Sequence, residues 1–280
     1  MQWLRDNKLP IGAYGEAAID WLITNLLWLF DAVSDGLSSI IAGLLWLLTA
    51  PHPFLVIAVF SAIAFALRRT IAAPVATALG LLLIVNLGYW QETTQTLAMV
   101  LSATFVCMAL GVPLGILAAR RDWIYGAMRP VLDLMQTIPT FVYLIPALIL
   151  FGLGTVPGLV ATVIFALPAS IRLTRLGIAG TPRQLVEAGD AFGATPMQRL
   201  VSVEIPYALP QIMAGLTQTI MLSLSMVVIA ALVGAPGLGV PVLRALNTVN
   251  ISQGLEAGLA IVILAIILDR MFRIDEEARS

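Results

Sequence analysis

Charge is what this 280-residue chain has least of: 11% of its residues are charged, against 60% that are hydrophobic. Soluble domains carry about 25% charged residues, and a globule of this length needs them to cover its surface. The shortage excludes an ordinary cytosolic enzyme, a disordered chain and a nucleic-acid binder, and it fits a polytopic membrane protein. Cysteine is reduced to Cys107 and histidine to His52. That excludes a disulfide framework, a cysteine metal site and a histidine cluster, so no metal site is expected. Lysine is reduced to Lys8, beside 14 arginines. A P-loop needs Gly-x-x-x-x-Gly-Lys-Ser/Thr, because its backbone amides and its lysine cradle the phosphates. No such glycines precede Lys8. The chain is therefore expected to be no enzyme and to bind no nucleotide, drawing its energy from an ion gradient or another polypeptide. A net charge of −1 implies no strongly acidic or basic partner.

What is present is a series of long apolar runs. A helix needs about 20 apolar residues to cross the hydrocarbon core. Seven stretches qualify, near residues 53–67, 71–89, 94–119, 131–152, 156–174, 207–233 and 255–270. The fold expected is an all-α polytopic membrane bundle. Acidic residues sit only at span ends: Glu92, Asp133, Glu256 and Asp269. Ionisable residues inside a bilayer are costly and mark proton relays, so their absence from span centres disfavours a proton-coupled carrier. Sodium coordination by backbone carbonyls stays open. Of 15 basic residues, 12 fall in one set of loops: Arg68, Arg69, Arg120, Arg121, Arg129, Arg172, Arg175, Arg183, Arg199, Arg270, Arg273 and Arg279. The other side holds Arg5, Lys8 and Arg244. The positive-inside rule places the first set in the cytoplasm, with the N-terminus outside and the C-terminus inside. Tyr89-Trp90 and Trp123–Tyr125 then lie at opposite interfaces.

The first 20 residues lack the apolar stretch of a signal peptide. Residues 17–39 pattern as an amphipathic helix, with Asp20, Thr24, Asp31, Ser34, Asp35 and Ser38 within an arc of about 100°. Trp21, Leu22, Leu26, Leu29, Phe30, Val33 and Leu37 form the other face. Such a helix lies in the interface or braces the bundle. An alternative uses 36–50 as an eighth, short span, which puts Arg5 and Lys8 inside. The chain thus divides into an N-terminal region (1–50), a transmembrane domain (51–274) and a cytoplasmic tail (275–280).

Polar residues at membrane depth either bond between helices or line a pathway. Gln136, Thr137, Phe141 and Tyr143 in the fourth span, and Gln218, Ser223 and Ser225 in the sixth, are the candidates for a translocation path. Cys107, Met213, Met221 and Met226 read as core.

The segment 181–206, TPRQLVEAGDAFGATPMQRLVSVEIP, is too polar to span yet strongly patterned. Thr181-Pro182 predicts an N-cap followed by Pro at the first helical position, with Gln184 completing a capping box. Gly193 suits the left-handed stop of that helix. Thr195-Pro196 repeats the start, predicting a second helix to about Val203, and Pro206 opens the next span. Leu185, Ala188, Ala191 and Phe192 form an apolar face, with Glu187 and Asp190 beside it. This is a surface suited to docking on another protein.

Glu187-Ala188-Gly189-Asp190-Ala191-Phe192-Gly193, followed by Val203-Glu204-Ile205-Pro206, resembles the EAA loop of permease subunits of binding-protein-dependent ABC importers. Glu187, Ala188, Gly193 and Pro206 match the family pattern E-A-A-x3-G-x9-I-x-L-P. Gly189, Val203 and Ile205 depart from it, and Gly189 costs the helix up to about 1 kcal/mol relative to Ala. Residues 130–154, 156–174, 224–239 and 260–270 are similar to the ProW-type permeases for glycine betaine, proline betaine, proline or choline. The resemblance implies a MetI-like, type I importer fold in a bacterial inner membrane. It implies a homodimer, two cytoplasmic ABC ATPase subunits carrying ATP and Mg, an extracytoplasmic substrate-binding protein, and surrounding lipid. It implies that Glu187, Ala188, Gly189, Asp190, Gly193 and Pro206 couple to the ATPase. Two other classes remain open: a sodium-coupled carrier for a small amine, and a membrane scaffold without transport.

Overall fold

The structure is a computed structural model and describes residues 11–272. The described residues are helical throughout, joined by short turns. The chain opens with one unbroken helix, α1 (Ile11–Thr49). It takes in both the amphipathic stretch and the alternative short span, so these are not separate elements. At 1.5 Å per residue it is about 58 Å long. It packs on the rest through Ile41 and Leu48 and through the Phe30 ring, edge-on to Phe151 at 5.6 Å. Two short apolar helices follow, α2 (Pro53–Arg68) and α3 (Ala72–Asn86). Next come α4 (Trp90–Arg120), α5 (Asp122–Thr137), α6 (Thr140–Phe151) and α7 (Thr155–Ala179).

The centre of the bundle is the pairing of α4 with α7. Ala103, Cys107, Gly111 and Gly115 recur every fourth residue on α4, and Thr162, Ala166, Ser170 and Thr174 do so on α7; all are buried. Small residues at helical spacing let two membrane helices approach closely. A Cβ on Gly111 would lie 1.9 Å from Ser170 Oγ, and one on Gly115 would lie 2.6 Å from Thr174 Cβ. The Ser170 hydroxyl donates to Cys107 O at 3.0 Å, bonding across the seam.

Two expected spans are not single helices. The stretch 131–152 breaks between α5 and α6 with a 98° bend. Pro139 is the cause. A residue before proline is pushed out of the α region, and Ile138 sits at φ −66°, ψ 131°. The stretch 207–233 breaks at Met226, between α10 (Ile205–Ser225) and α11 (Val227–Ala231). Gly234 and Gly237, both at positive φ, then turn the chain into α12 (Gly239–Thr248). A substituted Cβ at Gly237 would lie 2.6 Å from Thr96 Oγ1, and the Leu238 N–H donates to that oxygen at 2.8 Å. This pins the turn to α4. The last helix is α13 (Ile251–Phe272). Four helices (from Gly12, Trp90, Thr155 and Ile251) are long and apolar enough to cross a membrane, and the bent α5–α6 pair makes a fifth. The chain is thus an all-α polytopic membrane bundle, with α2, α3 and α10 packed among these helices.

Candidate coupling loop and path

Among the described residues, most arginines gather at one end of the bundle and Arg244 lies at the other. Gln253, near the start of α13, shares a cleft of 280 Å³ with Tyr89, at the start of α4, and with Arg244. Both helices therefore begin at one end, and Arg120 and Arg270 close them at the other. Arg68 Nε donates to Arg270 O there. Arg172 pairs with Asp133 at 2.5 Å, and Arg175 pairs with Asp122 at 3.6 Å while lying 3.6 Å over the Tyr125 ring. These contacts hold α5 across the end of α7. Arg5, Lys8, Arg273 and Arg279 lie outside the described residues. At the opposite end, burial first and then the Glu256 and Glu92 carboxylates push the Tyr89 phenol above its usual value.

The segment 181–206 protrudes from the arginine end as two short helices, α8 (Arg183–Ala191) and α9 (Pro196–Arg199). The first start signal is displaced by one residue. Pro182, at φ −56° and ψ 135°, is itself the N-cap, and no capping box forms from Thr181. Its hydroxyl is buried without a partner. Gly193 does take the left-handed conformation that ends the helix, at φ 74°. At the second start the box forms fully. Thr195 Oγ1 accepts from the Gln198 N–H, and Gln198 Oε1 accepts from the Thr195 N–H at 2.8 Å. The second helix does not stop near Val203. It widens into a π turn (Leu200–Glu204) and runs on into α10, the Ile205 N–H reaching Leu200 O. Pro206 has no N–H to give to the preceding turn, and such a turn absorbs the mismatch without ending the helix.

The outer surface of this hairpin is apolar. Phe192 is 92% exposed, and Leu185, Met197 and Val201 are exposed around it. Glu187 and Ala188 are exposed on α8. Asp190 is also exposed, and its two carboxylate oxygens accept from Arg199 NH1 at 2.7 and 2.9 Å. Arg199 Nε donates to Glu204 Oε1 at 3.0 Å. Glu204 is buried and also pairs with Arg120 NH2 at 3.5 Å, which donates in turn to Pro196 O at 3.0 Å. Hydrogen bonds donated to Asp190 and then to Glu204 raise the Arg199 guanidinium above its already high value. Neither Arg199 nor Glu204 stood out in the sequence. The signal was there: an acidic residue five positions beyond an arginine, at the foot of a membrane helix.

The path candidates separate into groups. Ser223 is buried and bonds Thr219 O in its own helix at 2.8 Å, which is a packing role. Gln218 and Ser225 are exposed, on one face of α10 with Tyr207, Gln211 and Ala214. Thr137 and Phe141 are exposed on either side of the Pro139 bend, with Gln136 half-buried beside them. The Tyr143 hydroxyl donates back across the bend to Leu134 O at 3.0 Å. Tyr143 also packs on the cluster of Leu144, Ala161, Met226 and Val233. The two breaks, at Pro139 and at Met226, therefore meet.

These features define a transport permease, and comparison with known proteins agrees. The chain belongs to the family described as binding-protein-dependent transport system inner membrane component, which residues 111–274 match. Among its relatives, the glycine betaine transport system permease protein OpuAB of Bacillus subtilis is 45% identical over 94% of this chain and 93% of its own. The glycine betaine/proline betaine permease protein ProW of Escherichia coli is 44% identical over 97% of this chain and 77% of its own. The glycine betaine/carnitine permease protein GbuB of Listeria monocytogenes is 43% identical over 94% of each. Among solved structures, an inward-facing MetNI methionine ABC transporter chain aligns with TM-score 0.58 and 25% identity, covering 62% of this chain and 88% of its own.

Proposed function

We propose that this chain is the membrane-spanning subunit of an ATP-driven importer for a quaternary ammonium osmoprotectant, such as glycine betaine, proline betaine or choline. The observation that carries the reading is the hairpin at 181–206. It presents Phe192 and Glu187 outward at the arginine end of a bundle whose relatives are betaine permeases. In this reading the arginine end is cytoplasmic and the N-terminus lies outside. Glu187, Ala188, Gly189 and Gly193 form the surface on which a cytoplasmic ABC ATPase docks, and Pro206 sets the hairpin against α10. ATP and Mg belong to that ATPase. An extracytoplasmic binding protein delivers substrate to the other end.

The geometry supports one mechanism. An ATPase pair closing beneath two copies of the chain would push on each α8. Gln218 and Ser225 on α10 are exposed at membrane depth, where facing lipid is costly. They fit a water-filled cavity between two copies. Thr137, Phe141 and the Pro139 bend fit its wall, because a broken helix frees backbone groups only where they line a cavity. Tyr143 bridges that bend through its hydroxyl bond to Leu134 O and fits beside the same wall.

The test is reconstitution in liposomes with a partner ABC ATPase and an extracytoplasmic binding protein. Uptake of glycine betaine or choline that requires ATP and all three components supports the reading. Uptake by this chain alone, driven by sodium and indifferent to ATP, overturns it, as does ATPase binding without transport.

A further inference from the structure

The helix that meets the ATPase in the proposed reading has little grip on the membrane bundle. Helix α8 packs mainly on α9 and the π turn. Its chain connections are the turn at Thr181-Pro182 and the left-handed Gly193. Neither is a stiff lever. A push on α8 would bend these turns unless something braced them.

Four charged side chains provide the brace. Asp190 is on α8, Arg199 ends α9, Glu204 closes the π turn, and Arg120 ends α4. They alternate in sign and are joined pairwise at 2.7, 3.0 and 3.5 Å. Glu204 is buried, its side chain 8% exposed, between the two guanidiniums. Arg199 gives NH1 to Asp190 and Nε to Glu204, two separated nitrogens of one rigid planar fork whose geometry the compact ammonium of a lysine does not reproduce. Its stem lies on Gly189: a Cβ there would sit 3.6 Å from Arg199 Cγ. Arg120 also ties to the start of α9 through Pro196 O. Arg120, Arg199 and Glu204 line a polar cleft of 470 Å³ between the ends of α4 and α7 and the hairpin.

We propose that Arg199 is a positioning residue, the strut that makes α8, the π turn and the inner end of α4 move as one body. A push on α8 then reaches α4, the central helix, directly as well as through α10. Because α4 is locked to α7 by the glycine seam, the stroke is delivered to the middle of the bundle. The proposal rests on the reading of 181–206 as the ATPase-docking loop.

The experiment uses the full importer, permease with ATPase and binding protein, in liposomes. Substrate imported per ATP hydrolysed is measured for Arg199→Lys, Asp190→Asn and Asp190→Glu. Permease yield and copurification with the ATPase are recorded for each. Asp190 is half-exposed, so its variants fold even where changes at Arg199 do not. The strut requires that Arg199→Lys and Asp190→Asn remain assembled while import per ATP falls by about tenfold. Asp190→Glu, which keeps the carboxylate, must restore the wild-type ratio. Wild-type ratios in both of the first two variants overturn the strut and leave the docking reading intact. Loss of ATPase copurification in Asp190→Asn also overturns it, because Asp190 would then belong to the docking face. The docking reading fails separately, if Phe192→Ala combined with Glu187→Arg copurifies and transports normally.

Discussion

Gly189 stands where the family pattern has alanine, and its surroundings do not demand glycine. A Cβ there would make ordinary contact with Arg199 and Val203, and the residue lies inside α8. Gly189→Ala is therefore expected to stabilise the hairpin by about 0.4–1 kcal/mol, read as slower proteolysis of the loop with transport retained. Gly193 is the opposite case. Nothing crowds a Cβ at that position, but its φ of 74° does. Gly193→Val is expected to cost about 1–2 kcal/mol locally and to reduce coupled uptake more than permease yield. At Tyr89 the neutral phenol is the favoured form, because burial and two carboxylates raise its value. Its native value lies above its unfolded one. Its stabilising contribution is therefore complete below about pH 10 and lost as pH rises through the native value. Tyrosinate absorbance should include a late component that Tyr89→Phe reduces.

At the scale of elements, α8 and α9 show what a local pattern can and cannot fix. Both Thr-Pro starts look alike in sequence, yet only Thr195 caps. Its box needs only backbone and side-chain groups within four residues, which any context supplies. Thr181 follows the tight end of α7, where Gly180 and Thr181 turn back on Leu176 and Ile178; the extended Pro182 therefore starts the helix instead. Thr195→Ala is expected to destabilise the hairpin by about 1 kcal/mol, whereas Thr181→Ala should cost little. Hydrogen exchange of the 183–204 amides distinguishes them. The π turn shows the same limit. Pro206 reads as a helix start, but the helix enters it already wound.

At the scale of the whole molecule, the apolar runs and the arginine distribution already implied a polytopic bundle with one basic end; one cleft there gathers Arg120, Arg121 and Arg199, and another gathers Arg68 and Arg270. The breaks at Pro139 and Met226 were less legible, because a hydropathy run counts residues and not their direction. Pro139 marked the first break, whereas residues 216–233 around the second contain neither proline nor glycine. The glycine seam was also missed. A Gly or Ser every fourth residue inside an apolar run reads as filler until the partner helix is known. Gly111→Leu is expected to abolish assembly of the bundle, measured as lost permease yield in the membrane. For the path, cysteines introduced at Gln218 and Ser225 should react with a membrane-impermeant thiol reagent in at least one transport state, whereas one at Ser223 should not. Protection of the first two in every state would remove α10 from the path.

The sequence by itself determined that this chain lives in a membrane, which loops are basic, and where the segment resembling the EAA loop lies. Those properties depend on composition and on spacings within a single turn or loop. Only the tertiary structure decided that Asp190 pairs with Arg199, that Glu204 is buried between two arginines, and that Ser223 packs while Gln218 is exposed. These depend on which face of one helix meets another. That choice is made by the close approach of α4 and α7 and by the π turn that sets the rotation of α10.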